Sequence, residues 1–156
     1  MTFFEVKIKI DRVLEDGTQK KVSETYALDA LSFTEAEARI TKKMEPYIVG
    51  DFEVTHEKKA QYGEVVFNGG DLFFLVKFNL ITIDEKSMKE KRQTLYVLFQ
   101  EENIDKAKEH ARQHMAQSVV DYEIESIKET NILDVFAQRE AMEELTRLGA
   151  SIEVRT

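Results

Sequence analysis

His110 and His114 stand four residues apart in the stretch KEHARQHM, the spacing at which two imidazoles on one helix face can share a metal ion. The order differs from the zinc-protease motif, which reads HExxH with an acid between the histidines. The chain holds no cysteine and one further histidine, His56, so the pair reads as surface histidines with no metal and no cofactor. Two carboxylate pairs, Asp51 with Glu53 and Asp121 with Glu123, repeat a second pattern. On a strand both members of a pair share a face, where they raise each other's pKa or hold a hard cation. No third acid and no glycine-rich loop completes such a site, and the solvent face of a strand is the simpler account. A third set is basic: Lys7, Lys9 and Lys77 on strands, with Lys20, Lys21 and Arg92 on the returning strands. Basic side chains beside aromatics such as Phe3 and Phe73 suit an anionic ligand or a single nucleic-acid strand. Glu5, Asp11 and Glu24 interrupt the row, as they do when lysines serve solubility and edge protection.

Composition narrows the classes further. Net charge is −8, with 30 acidic against 22 basic residues, and counterion release from a duplex works poorly for an acidic protein. The absence of cysteine removes disulfides, thiolate metal sites and cysteine nucleophiles. No G-x-S-x-G elbow, phosphate loop or dinucleotide fingerprint occurs, and no serine has a histidine beside it. The expectation is a protein that is not an enzyme. No apolar run approaches the roughly 20 residues of a membrane span, and the start lacks a signal-peptide pattern, so a cytoplasmic location is expected.

The elements that carry these residues come twice. MTFFEVKIKI at the start and DLFFLVKFNL from Asp71 share a register 70 positions apart, with Phe3/Phe73, Phe4/Phe74, Val6/Val76 and Lys7/Lys77 identical. Tyr26/Tyr96, Leu28/Leu98, Val49/Val119, Asp51/Asp121, Glu53/Glu123 and Lys58/Lys128 continue it, and Ala36/Ala107 and Met44/Met115 fall at 71, as if one residue entered near the second helix. Such self-similarity marks a duplicated supersecondary unit. Phe4, Val6, Ile8 and Ile10 alternate with polar residues, the period of a half-buried strand, and Phe74, Val76, Phe78 and Leu80 repeat it. Asp16-Gly17 marks a hairpin, while a charged loop, Asp84–Lys91, takes its place in the second half. Ser32-x-x-Glu35, with Thr34 and Glu37 as an alternative, has the form of a capping box. Phe33, Ala36, Ile40, Met44 and Tyr47 then share a helical face, closed by Pro46 and Gly50; Ile104, Ala107, Ala111, Met115 and Val119 share another. Phe52–Val54 and Tyr122–Ile124 end each unit as strands.

The expected architecture is α+β: two ββαβ units, residues 1–70 and 71–136, with antiparallel sheet and pseudo-twofold symmetry in a single domain. Asn68-Gly69-Gly70 is their joint. Residues 137–156 form an extension, with a helix at Ala137–Leu148 capped by Gly149 and a short strand at Ser151–Val154. Phe3, Phe73 and Leu75 are apolar on the expected outer face, which points to a partner surface or to cover by that helix.

The stretch KKVSETYALDALSFTEAEARI, Lys20–Ile40, with FFEVKIKI before it and Asp134-Val-Phe136 near the end, resembles a family of small proteins of unknown function from Bacteroidetes and their phages. The likeness covers about residues 1–136, and DALSFTEAEARI is its most specific part. It implies a bacterial or phage accessory protein and assigns no functional residue. Three functions follow as expectations. The first is a binding or assembly module that recognises a protein partner or forms a homo-oligomer. The second is a phage counter-defence protein that sequesters a nucleotide signal or inhibits a host enzyme, with Lys7, Lys9, Lys77 and Arg92, or helix-start amides near Thr34 and Asp105, meeting phosphate. The third is single-strand binding on the lysine-bearing sheet face.

Overall fold

Alternation builds the first sheet as expected. In β1 (Phe3–Val13), Phe4, Val6, Ile8 and Ile10 are buried, while Lys7 and Lys9 between them are exposed. β1 pairs antiparallel with β2 (Gln19–Asp29), which sets Phe4 opposite Leu28 and Val6 opposite Tyr26. Gly17, at φ 84°, permits the turn over residues 14–18 that joins them. The Asp16 carboxylate accepts from the Thr18 hydroxyl at 2.6 Å and its N–H at 3.0 Å, which lowers the Asp16 pKa. On the other side β3 (Phe52–Lys59) pairs antiparallel with β1, and the register steps between Lys7 and Ile8. Thr55 is the extra residue there, and its hydroxyl donates to the Lys7 carbonyl at 3.1 Å.

The computed structural model describes residues 2–137, which contain eight strands in two sheets and two α-helices. Helix α1 (Phe33–Met44) begins where Ser32 accepts the Glu35 N–H at 3.1 Å while Glu35 reaches back to the Leu31 N–H at 3.2 Å. Of the two expected boxes, the chain uses the one at Ser32. Ala36, Ile40 and Met44 pack onto the Phe4–Ile10 face, and burying a side chain such as Ile40 stabilises the unit by about 2 kcal/mol. A 3-10 turn, Glu45–Tyr47, carries Pro46 and ends the helix.

The second sheet has the same ingredients. β5 (Leu72–Ile83) pairs antiparallel with β6 (Glu90–Glu101), Phe74 opposite Phe99, and with β7 (Asp121–Glu129), whose register steps between Lys77 and Phe78. The joining turn spans residues 84–89, one residue longer than its counterpart, and β6 begins at Glu90, inside the loop expected from sequence. Asn103 caps α2 (Ile104–His114), whose Ala107 and Ala111 are buried over the sheet. The expected apolar face is too long at both ends: Ile104 is 52% exposed and Val119 100%, because the helix stops at His114 and Val119 lies in the following loop.

Two strands were not expected. β4 (Val65–Phe67) lies parallel to β6, and β8 (Ile132–Phe136) lies beside β2. The sheet orders are β3-β1-β2-β8 and β4-β6-β5-β7. Each sheet therefore carries a fourth strand that a ββαβ unit lacks, and the second is mixed rather than antiparallel. The chain divides into two compact units, residues 60–133 and residues 2–59 rejoined by the chain from Asp134. β4 follows the strands of the first sheet yet belongs to the second; β8 follows those of the second and completes the first. The expected helix beyond Ala137 and the strand at Ser151–Val154 lie outside the described residues.

Candidate functional site

Each helix sends one basic side chain to a buried carboxylate at the end of the neighbouring hairpin strand. From α1, the Arg39 guanidinium donates to the Asp29 carboxylate at 2.7 Å and to the Asp29 carbonyl, and its other arm reaches the Phe136 carbonyl in β8 at 3.3 Å. Asp29 is 2% exposed. Phe136 stacks on Tyr26 with ring centroids 5.3 Å apart, and the Lys43 ammonium sits 5.1 Å from the Phe136 ring centre. Tyr26, Arg39 and Lys43 thus form a seat on the β2 edge that holds the end of β8. The phenol of Tyr26 donates to Glu24 at 3.1 Å, and burial, reinforced by the Glu24 charge, pushes its pKa up to about 12.

From α2, His110 Nδ1 lies 2.6 Å from the Glu101 carboxylate, whose other oxygen accepts from Asn68 Nδ2 at 2.6 Å. Glu101 is 1% exposed, and Asn68 follows directly after β4. Gly70, at φ 102°, passes so close that an added Cβ would stand 2.5 Å from the Glu101 backbone. His114 contacts Glu64 at 3.1 Å and sets its ring edge-to-face with Phe99 at 5.5 Å. The two histidines thus bind separate carboxylates, and among the described residues no group of three or more His, Asp or Glu could hold a metal ion. In the sequence Glu101 is masked by the polar run Glu-Glu-Asn that it opens. Its strand parity, shared with Val97 and Phe99, was the available signal.

The basic set divides. Lys77 is paired with Glu125, which raises its pKa and lowers that of Glu125, and its ammonium lies 5.9 Å from the Tyr96 ring centre. Arg92 is paired with Glu123 and with Glu90, at 3.3 Å from the latter, and these contacts raise its pKa. Lys7 and Lys9 are exposed and make no ion pair among the described residues. Lys7 and Lys9 lie in the first sheet, Lys77 and Arg92 in the second. One member of each acid pair is engaged: Asp51 contacts Lys21 at 3.2 Å and Glu123 contacts Arg92, while Glu53 and Asp121 are exposed. Both helix starts have side-chain caps, Ser32 near Thr34 and Asn103 before Asp105, and each first turn carries an acid.

Phe3 and Phe73, expected either on an outer partner surface or under cover of the C-terminal extension, are 5% and 1% exposed, and Leu75 is half-buried. The burial is confined to one end of each sheet. Near the start of β1 and β5 both sheet faces are interior: Ala27 and Leu98, on the face away from the helices, are 0% exposed. The runs Phe3-Phe4 and Phe73-Phe74-Leu75 are what two-sided burial looks like in sequence.

The chain belongs to the family described as a domain of unknown function, DUF4494, matched over residues 2–138. No curated protein and no solved structure matches it.

Proposed function

We propose that the chain is a non-enzymatic binding and assembly module that works by strand addition, recognising a protein partner or a further copy of itself. One observation carries this reading: the first sheet is completed at its β2 edge by β8, a five-residue strand that arrives from beyond the second sheet's strands. A sheet edge that accepts an extended segment supplies main-chain hydrogen bonds for affinity, and pockets for alternate side chains supply selectivity. Here the selective contacts are Tyr26, Arg39 and Lys43. In this reading the chain is one domain built from a duplicated unit related by a pseudo-twofold axis. Support for duplication comes from the matching bulges beside Lys7 and Lys77, the matching caps at Ser32 and Asn103, and the buried triads Ala36-Ile40-Met44 and Ala107-Ala111-Met115. In this reading the residue gained by the second half, expected near the second helix, lies in the turn over residues 84–89, which is one residue longer than the turn over residues 14–18. The cellular setting in this reading is the cytoplasm of a bacterium or a phage-infected cell.

A second reading draws on Lys7 and Lys9, whose ammonium groups are exposed and unneutralised among the described residues, unlike Lys77 and Arg92. They support an anionic ligand: a nucleotide sequestered in phage counter-defence, or the backbone of a single strand. Light scattering, pull-down from host lysate and a thermal-shift screen against nucleotides and short single strands at two salt concentrations separate the readings. Self-association or one saturable protein partner, with no nucleotide shift, is the expected outcome. A several-degree rise with one nucleotide replaces it with the sequestration reading, and salt-sensitive stabilisation by oligonucleotides replaces it with the single-strand reading.

A further inference from the structure

We propose that the β2 edge is an exchangeable seat for residues 134–137, and that a second copy of this chain fills it to give a strand-swapped dimer. The inference rests on the strand-addition reading above and names its partner. Every side-chain contact described at this seat comes from the receiving unit: Arg39 to the Phe136 carbonyl, Tyr26 stacked on Phe136, and Lys43 over the same ring. Val135, next to Phe136, is 2% exposed and Ala137 8%, so the segment is a buried plug and not a loose tail. All of these contacts form equally well when the segment comes from another molecule. The choice between the two sources is set by effective concentration and by the hinge.

The hinge favours exchange. Only Thr130 and Asn131 separate β7 from β8, although these strands belong to different sheets. Thr130 is held in place, since its N–H and hydroxyl donate to the Phe73 carbonyl at 2.8 and 2.9 Å. A connection of two residues between strands of different sheets is a short hinge, the kind across which identical copies trade a strand at little loss of contacts.

Two full-length variants test it. In Tyr26→Ala/Arg39→Ala the seat is broken and the segment intact; in Val135→Asp/Phe136→Ala the segment is broken and the seat intact. Neither variant alone should self-associate. Mixed, they should form a 1:1 heterodimer with twice the 18.1 kDa chain mass, because one intact seat meets one intact segment. Mixed variants that stay monomeric overturn the proposal. Should a double variant fail to fold, full-length Phe136→Ala is titrated with a fluorescent peptide of residues 131–137. A saturable rise in anisotropy is expected, and no rise, with an unchanged far-UV spectrum, overturns the proposal. Peptide binding without any heterodimer overturns the second copy as occupant. Wild-type self-association that survives in both double variants removes this inference and leaves the assembly reading standing, whereas a monomeric wild type with no partner in pull-down removes both.

Discussion

The two helix-to-carboxylate contacts close the same end of each hairpin, Asp29 opposite Phe3 and Glu101 one ladder position further, opposite Leu72, and they differ in chemistry. Arg39 joins α1 to Asp29 and, through the Phe136 carbonyl, to the added strand β8. His110 joins α2 to Glu101, and it is the carboxylate, through Asn68, that reaches the chain beside β4. Arginine brings five donors in a rigid fork and a permanent charge, so one side chain can serve a carboxylate and two carbonyls. Histidine offers two ring nitrogens, so part of the bridging passes to the carboxylate and an asparagine. The lesson concerns edge strands. A strand as short as Val65–Phe67 or Ile132–Phe136 makes few ladder bonds and depends on such side-chain clasps for its place.

The sharpest way to break the comparison is to remove each base. Arg39→Ala leaves the buried Asp29 charge without its guanidinium and releases the Phe136 carbonyl; a loss of about 3 kcal/mol in urea unfolding is expected. His110→Ala, which removes a single contact to Glu101, should cost about 1.5 kcal/mol. Equal losses would mean that the two clasps do the same work. Amide exchange adds a local readout, since Arg39→Ala should deprotect residues 132–137 and His110→Ala residues 65–67.

The next effect is confined to alkaline pH. Tyr26, beneath Phe136, has its pKa raised to about 12 from the ordinary 10.0, so the folded state holds the phenol proton more tightly than the unfolded chain. The stability it contributes is fully present below pH 10 and is lost as pH rises through the folded value, by on the order of 2 kcal/mol. Unfolding of wild type and Tyr26→Phe between pH 9 and 12 should diverge over that window, the phenylalanine variant losing less. Parallel curves would disconnect Tyr26 from the seat.

The smallest expected effect is a gain. Glu57 faces the α1 side of the first sheet opposite Val6, one of its carboxylate oxygens is buried without a hydrogen-bond donor among the described residues, and burial, with the Glu37 charge, raises its pKa. The protonated form suits the fold, so this contribution is present at acid pH and lost as pH rises through the raised value. Glu57→Gln should stabilise the protein by up to about 1 kcal/mol at neutral pH, with the advantage vanishing in acid as the wild-type carboxyl protonates. A destabilised variant at neutral pH would show that the charge has a role in the unit.

What the sequence by itself determined is whatever local periodicity controls. The long strands β1, β2, β5 and β6, the two capped helices and the polarity of each helix-facing surface all follow from alternation and capping among neighbours in the chain. The weak edge strands were decided elsewhere. Val-Val-Phe before Asn-Gly-Gly is too short to show a period, and Ile-Leu-Asp-Val-Phe has the wrong one, its burial running buried, exposed, exposed, buried, intermediate. Their places depend on partners far along the chain, β6 and β2, and on Asn68, Arg39 and Lys43. Tertiary structure also decided that Phe3 and Phe73 are interior and that Glu101 is a buried anchor. Burial on a sheet's second face and the pairing of a carboxylate depend on what lies across space, which the order of neighbouring residues does not encode.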